Sequence, residues 1–235
     1  MGKLAPALTR PQLAELARAA LDNSAALLDD ARFLLVGGRW PRAYSVAVLA
    51  AEEYGKFHRC VLESLSMDAN DHTWDEFWRD FRLHKPKFAA WYGQYVDGQD
   101  WGPVGSVGDA DWLREWNSAP GKAREHDRDK QAGFYVDFDT ESGSIRVPAD
   151  RCTEEMATEL IEKVSSVVAY WAMPAGQAHL TGILFPNPRS AAFLAELRTL
   201  MSPRPPAPLS AEGLGEMVSA LFKKHFGAVG PPNAL

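Results

Sequence analysis

The chain has 235 residues, of which 46% are hydrophobic and 24% are charged, so its composition permits an ordinary globular core. A net charge of -6 and a pI near 5.5 argue against a protein that coats nucleic acid with a uniformly basic surface. No apolar run approaches the ~18–20 residues of a membrane helix, and the amino terminus lacks a secretory signal pattern. We therefore expect a cytoplasmic protein with no membrane partner, in which Cys60 and Cys152 are free and buried.

The first predicted helix begins at a capping box. Thr9 is its N-cap, Gln12 stands three residues later, and Pro11 is tolerated in the first turn. Leucines and alanines then recur at helical spacing until Gly37-Gly38 supplies a stop. Because Trp40-Pro41 restarts the chain at once, the second helix should run antiparallel to the first.

The second predicted helix, residues 43–62, carries charge in the middle of a core-like run. Glu52 and Glu53 lie four and three residues before Lys56, so both carboxylates can reach the ammonium. A solvated ion pair of this kind is worth only about 0.3–0.5 kcal/mol. However, small residues on the same helix would let a second helix approach closely; they are Ala47, Ala50, Ala51 and Gly55. Charge beside such a seam predicts a polar site between helices.

A second capping box, Thr73-Trp74-Asp75-Glu76, predicts a helix rich in aromatic residues. The stretch from Arg79 to Lys87 within it is locally positive. Pro86 disfavours helical geometry at the preceding residue, so the helix should kink or restart next to His84. Arg79 and His84 are about 140° apart on a straight helix, so only a kink or a second chain would bring both to one phosphate.

The remaining elements are predicted from weaker sequence patterns. Residues 96–121 are predicted to be a long loop, apart from a short helix at 109–116, and residues 122–130 a solvated helix or loop. Alternating residues from 134 to 147 around Ser142-Gly143 predict a β-hairpin without a metal site. Residues 154–171 return to helical spacing and end at Pro174, and two further amphipathic helices are predicted at 190–201 and 210–226.

Three stretches together resemble the AbiV family of bacterial abortive-infection proteins, within the HEPN superfamily. They are Ala50-Ala51-Glu52-Glu53-Tyr54-Gly55-Lys56, then Phe81-Arg82-Leu83-His84-Lys85-Pro86-Lys87, then residues 122–128 leading into Phe134-Tyr135-Val136-Asp137. The resemblance covers roughly residues 12 to 172. It implies a mainly α, HEPN-like antiparallel bundle over residues 9–175, with a small hairpin insertion at about 133–148. Residues 176–235 are expected to form a helical extension of the same compact unit.

The resemblance also implies a chemistry. HEPN ribonucleases carry an Arg-x(4–6)-His motif, which Arg79 and His84 fit, and cleave RNA without a metal ion or cofactor. His84 would be the acid/base, and either Arg79 or Arg82 the phosphate clamp. Glu52 or Glu53 would orient His84 or the arginine. The substrate-binding residues implied are Lys56, Lys85, Lys87, Lys122, Arg124, Arg128 and, as a stacking surface, Tyr135.

HEPN sites usually lie at a homodimer interface, so RNA and a second copy of the chain are the expected partners. A phage-encoded activator or an antitoxin is left open as a further partner. The alternative is a non-catalytic module that senses or binds a phage protein or a nucleotide. In that case Glu52, Lys56, Arg82 and His84 would form a buried network that fixes helix packing.

Overall fold

The computed structural model describes residues 6–67, 74–97 and 108–185, together with single positions beyond them up to residue 224. This part of the chain is mainly helical and contains one small hairpin, as the sequence predicts. Its helices are α1 Arg10–Val36, α2 Trp40–Ser66, α3 Trp74–Arg82, α4 His84–Asp97, α5 Gly108–Phe134, α6 Glu154–Ala172 and α7 Pro174–Leu184. The strands are β1 Asp137–Asp139 and β2 Ser144–Arg146.

Helix α2 is the centre of the bundle, because α1, α4, α5, α6 and α7 all pack against it. The entry into α1 is the predicted capping box. Gln12 Oε1 accepts a hydrogen bond of 3.0 Å from the Thr9 backbone, and the Thr9 hydroxyl accepts one from the Gln12 backbone. Gly38 adopts a φ of 68°, which glycine tolerates, and thereby turns the chain back along α1.

The seam between α2 and α4 confirms the expected close approach of a second helix. A Cβ atom added at Gly55 would lie 1.9 Å from the Lys87 carbonyl oxygen, so only glycine fits there. The neighbouring Ala50 and Ala51 on α2 are fully buried. Backbone contact at this point brings the first turn of α4, which contains His84, beside the charged part of α2.

The short helix predicted at 109–116 is present as part of α5, whereas the loop predicted for the following residues up to 121 is wrong, because α5 runs without interruption through Pro120. Tertiary contacts outweigh its poor local helix propensity. Tyr92 donates a hydrogen bond of 2.8 Å to Glu115, and a Cβ at Gly93 would lie 2.9 Å from the Trp116 ring. The segment at 122–130 is helical but not fully solvated, since Asp129 and Lys130 are buried.

The hairpin pairs Asp137 with Arg146 and Phe138 with Ile145, and Gly143 takes the positive φ of its turn. Helix α6 forms as predicted and ends at Ala172, just before Pro174, which is the first residue of α7. Both cysteines are free and buried. The cap at Thr73 and most positions of the helices predicted at 190–201 and 210–226 lie outside the described residues. Among the described helices, none is both long and apolar enough to cross a membrane.

Candidate functional site

Five side chains from three helices meet at the α2–α4–α5 junction. Helix α2 provides Glu52, α4 provides His84 and Lys87, and α5 provides Asp127 and Lys130. We refer to these five as the Glu52 cluster. Only 3% of Glu52 and 2% of Lys130 are exposed, so this is an interior network and not a surface ion pair.

The carboxylate of Glu52 is divided between two partners. Its Oε1 lies 2.7 Å from Lys130 Nζ, and its Oε2 lies 2.6 Å from His84 Nδ1. Lys87 Nζ approaches the same Oε2 at 4.0 Å, and Lys130 Nζ also lies 3.0 Å from Asp127 Oδ1. The buried Glu52 carboxylate and the partly exposed Asp127 carboxylate are therefore balanced by two buried ammonium groups.

The tautomer of His84 follows from these distances. Nδ1 carries at most one hydrogen, and the carboxylate at 2.6 Å accepts it. The 3.4 Å approach of Lys130 Nζ to the same nitrogen is then an electrostatic contact, since neither atom can accept from the other. With Nδ1 protonated, the neutral ring presents the lone pair of Nε2, which has no partner among the described residues.

His84 lies at the break between α3 and α4. Helix α3 ends at Arg82, Leu83 is not helical, and His84 is the first residue of α4, as the position of Pro86 predicted. Its side chain is 54% exposed although its carboxylate partner is only 4% exposed. A buried acid thus holds one nitrogen of a ring that is itself half exposed to solvent.

Glu52, His84 and Asp127 also have the donor atoms of a metal site. Within the described ranges they are the one such group, with a ligand atom from each lying within 4.8 Å of the others. The Lys130 ammonium already lies between them, at 2.7 Å from Glu52 and 3.0 Å from Asp127. The cluster fits this internal cation, and a metal ion would have to displace it.

Burial also affects the ammonium of Lys87. Removal from water lowers its pKa below the usual value, and the opposite charge of Glu52 works against that shift. The side chain is 7% exposed. Lys87 therefore contributes to the interior charge balance and is not a surface residue that RNA reaches.

The other predicted catalytic residues lie outside the cluster. Glu53 and Lys56 pair with each other, and the Lys56 ammonium lies 5.5 Å from the centre of the Phe81 ring. Arg79 Nε bonds Asp80 at 3.1 Å, with 61% of its side chain exposed. The Arg82 guanidinium lies 5.9 Å from the Trp78 ring. Of the two candidate carboxylates, Glu52 is the one that contacts His84.

The predicted substrate-binding residues are mostly at the surface. Lys85 and Arg124 are exposed, Lys122 lies 3.8 Å from Glu125, and Tyr135 is 65% exposed. Arg128 extends beside Asp129 at 3.2 Å.

Asp127 and Lys130 were not predicted as site residues. The sequence contains one weak indication of Lys130. If α5 is continuous, Lys130 falls on the same helix face as the buried Ala119 and Ala123.

A mainly helical bundle with one short antiparallel hairpin is consistent with a HEPN-like fold. The family model HEPN_AbiV, described as AbiV, matches residues 12–169. The chain therefore belongs to the AbiV family and is an abortive-infection HEPN protein. No curated protein and no solved structure matches it.

Proposed function

We propose that this protein acts in phage defence as a metal-independent endoribonuclease, with His84 as its acid/base. The observation that carries the proposal is the 2.6 Å contact between His84 Nδ1 and the buried Glu52 carboxylate. It fixes the tautomer and orientation of a half-exposed imidazole, which is what a proton-transfer group near neutral pH requires.

In the proposed reaction, His84 Nε2 takes the proton of a ribose 2′-hydroxyl. The 2′-oxygen attacks the adjacent phosphorus, the bond to the 5′-oxygen breaks, and the leaving oxygen takes a proton. The products are a 2′,3′-cyclic phosphate and a 5′-hydroxyl end. Glu52 stabilises the imidazolium that forms, and its own charge stays balanced by Lys130 at 2.7 Å.

Arg79 and Arg82 are the proposed clamps for the charge that develops on the phosphorane. Both lie in the last turn of α3, five and two residues before His84, and their planar guanidinium groups suit phosphate oxygens. In a homodimer, a second copy of the same motif would face the same cleft and supply the proton for the leaving oxygen.

The test is cleavage of total cellular RNA in EDTA by wild type and by His84→Ala, with the product ends identified. We expect wild type to give cyclic-phosphate ends and His84→Ala to lose at least about 100-fold in rate. Arg18→Gln replaces an exposed residue of α1 and controls for the effects of substitution and purification as such. Because His84→Ala also removes a partner of the buried Glu52 carboxylate, thermal unfolding first establishes that the variant is folded at the assay temperature. Absence of cleavage by folded wild type would contradict the proposal.

The second candidate function is a non-catalytic module that binds a phage protein or a nucleotide. The burial of Glu52, Lys87 and Lys130 favours it, because such a network also fixes helix packing. Under this alternative, neither wild type nor His84→Ala cleaves RNA, and the loss of the Glu52 contact lowers the melting temperature.

A further inference from the structure

A cavity separate from the Glu52 cluster lies between the last turn of α5 and the hairpin. Its volume is about 410 Å³, which is within the range of small-ligand pockets. Helix α5 lines one side through Arg128, Gln131 and Ala132, which share one face of the helix at i, i+3 and i+4. Tyr135, which directly follows the last residue of α5, lines the same side. Asp137, Arg146 and Arg151 line the other side.

The three arginines of this cavity are held by carboxylates. Arg128 Nε and Arg151 Nη2 lie 3.2 and 3.3 Å from the same oxygen of Asp129, whose side chain is 8% exposed. Arg146 pairs with Asp139 across the hairpin. Each guanidinium has five N–H donors and uses only part of them in these contacts. The pairs therefore orient the arginines while leaving donors for an anionic ligand.

We propose that this cavity binds one nucleotide of an RNA strand, with its phosphate on the arginines and its base against Tyr135. The arginines match phosphate oxygens, and the exposed phenol ring of Tyr135 offers a stacking face. The carboxylate of Asp137 would repel a bare phosphate but accepts hydrogen bonds from a ribose hydroxyl or a base amino group. This mixed lining fits a nucleotide better than inorganic phosphate.

Continuity along α5 favours RNA over a free nucleotide. Arg128 and Gln131 line the cavity, and each adjoins a member of the Glu52 cluster, Asp127 or Lys130. Neighbouring helical residues differ by about 100° and 1.5 Å, so the cavity and the His84 site lie on adjoining faces of the same turns. One strand can occupy both, with the cavity holding a nucleotide away from the cleaved bond. The choice of RNA over a free nucleotide rests on the proposed ribonuclease function, whereas nucleotide binding as such rests on the cavity lining.

The test is binding of a fluorescent single-stranded 12-nucleotide RNA to full-length protein carrying His84→Ala, which prevents cleavage. We compare Arg151→Gln and Tyr135→Leu in that background with Arg18→Gln as a charge-matched control. Each cavity variant should weaken binding about tenfold, and Arg151→Gln should reduce the salt slope by about 0.7. Tyr135→Leu alters an exposed ring, so it covers the case in which Arg151→Gln unfolds.

Adenosine monophosphate is the second probe. If it binds at least as tightly as the RNA and competes with it, the cavity is a site for a free nucleotide, and the assignment to RNA is overturned. Affinities within twofold of the parent for both cavity variants, or no RNA binding by the parent, overturn the proposal. If wild type fails to cleave RNA but the cavity variants still lose binding, the ribonuclease proposal fails and this one holds.

Discussion

Replacing Lys130 with methionine would remove the internal cation of the Glu52 cluster while keeping most of the side-chain volume. Its ammonium lies 2.7 Å from Glu52 and 3.0 Å from Asp127, and 3% of the side chain is exposed. Removing one partner of a buried ion pair costs about 3–5 kcal/mol, because the remaining charge is left uncompensated. Lys87, 4.0 Å from Glu52, offsets part of that loss. We therefore expect a loss of about 3 kcal/mol in the free energy of unfolding.

For a chain of this size, that loss corresponds to a fall of about 6–12 °C in melting temperature. Thermal and urea unfolding at pH 7 measure it. The matched control is Lys163→Met, which breaks a pair with Glu159 on the surface of α6 and should cost less than about 1 kcal/mol. The double variant Glu52→Gln/Lys130→Met should be less destabilised than the sum of its single changes. Equal losses for Lys130→Met and Lys163→Met would refute this reasoning.

Two further predictions concern packing and pH. Gly55→Ala should destabilise the protein by about 1–3 kcal/mol or more, because its Cβ would overlap the Lys87 carbonyl, whereas Gly121→Ala on α5 meets open space and should stabilise by up to about 1 kcal/mol. Chemical unfolding measures the free energy of unfolding of both variants. Equal effects of the two substitutions would contradict the close approach of α4 to α2 at Gly55.

His126 stacks on Phe88, and burial lowers its pKa to about 4. The unfolded chain therefore binds more protons between about pH 6.5 and 4, and stability should fall as the pH falls through that range, by about 2–3 kcal/mol from this group. His126→Phe should flatten the pH profile measured by urea unfolding; an unchanged slope would argue against this origin.

Local signals in the sequence were sufficient for several elements. The Thr9–Gln12 box and Gly37-Gly38 set the ends of α1, because caps and positive-φ turns depend on a few adjacent residues. Gly55 among alanines predicted a close helix seam, and Pro86 predicted the restart of the helix at His84. Each of these features depends on residues within one or two helical turns, so it can be predicted from the sequence without knowledge of the tertiary structure.

Only the tertiary structure separated Glu52 from Glu53, which are neighbours of the same type. One points into the α2–α4–α5 junction and the other pairs with Lys56, a difference set by how α2 is rotated against its neighbours. The same holds for α5, whose first part is helical because of contacts with Tyr92 and Gly93. From the sequence alone, without a continuous α5, Lys130 is predicted to be a solvated charge. Lys130 is 78 residues from Glu52, and only packing brings the two together.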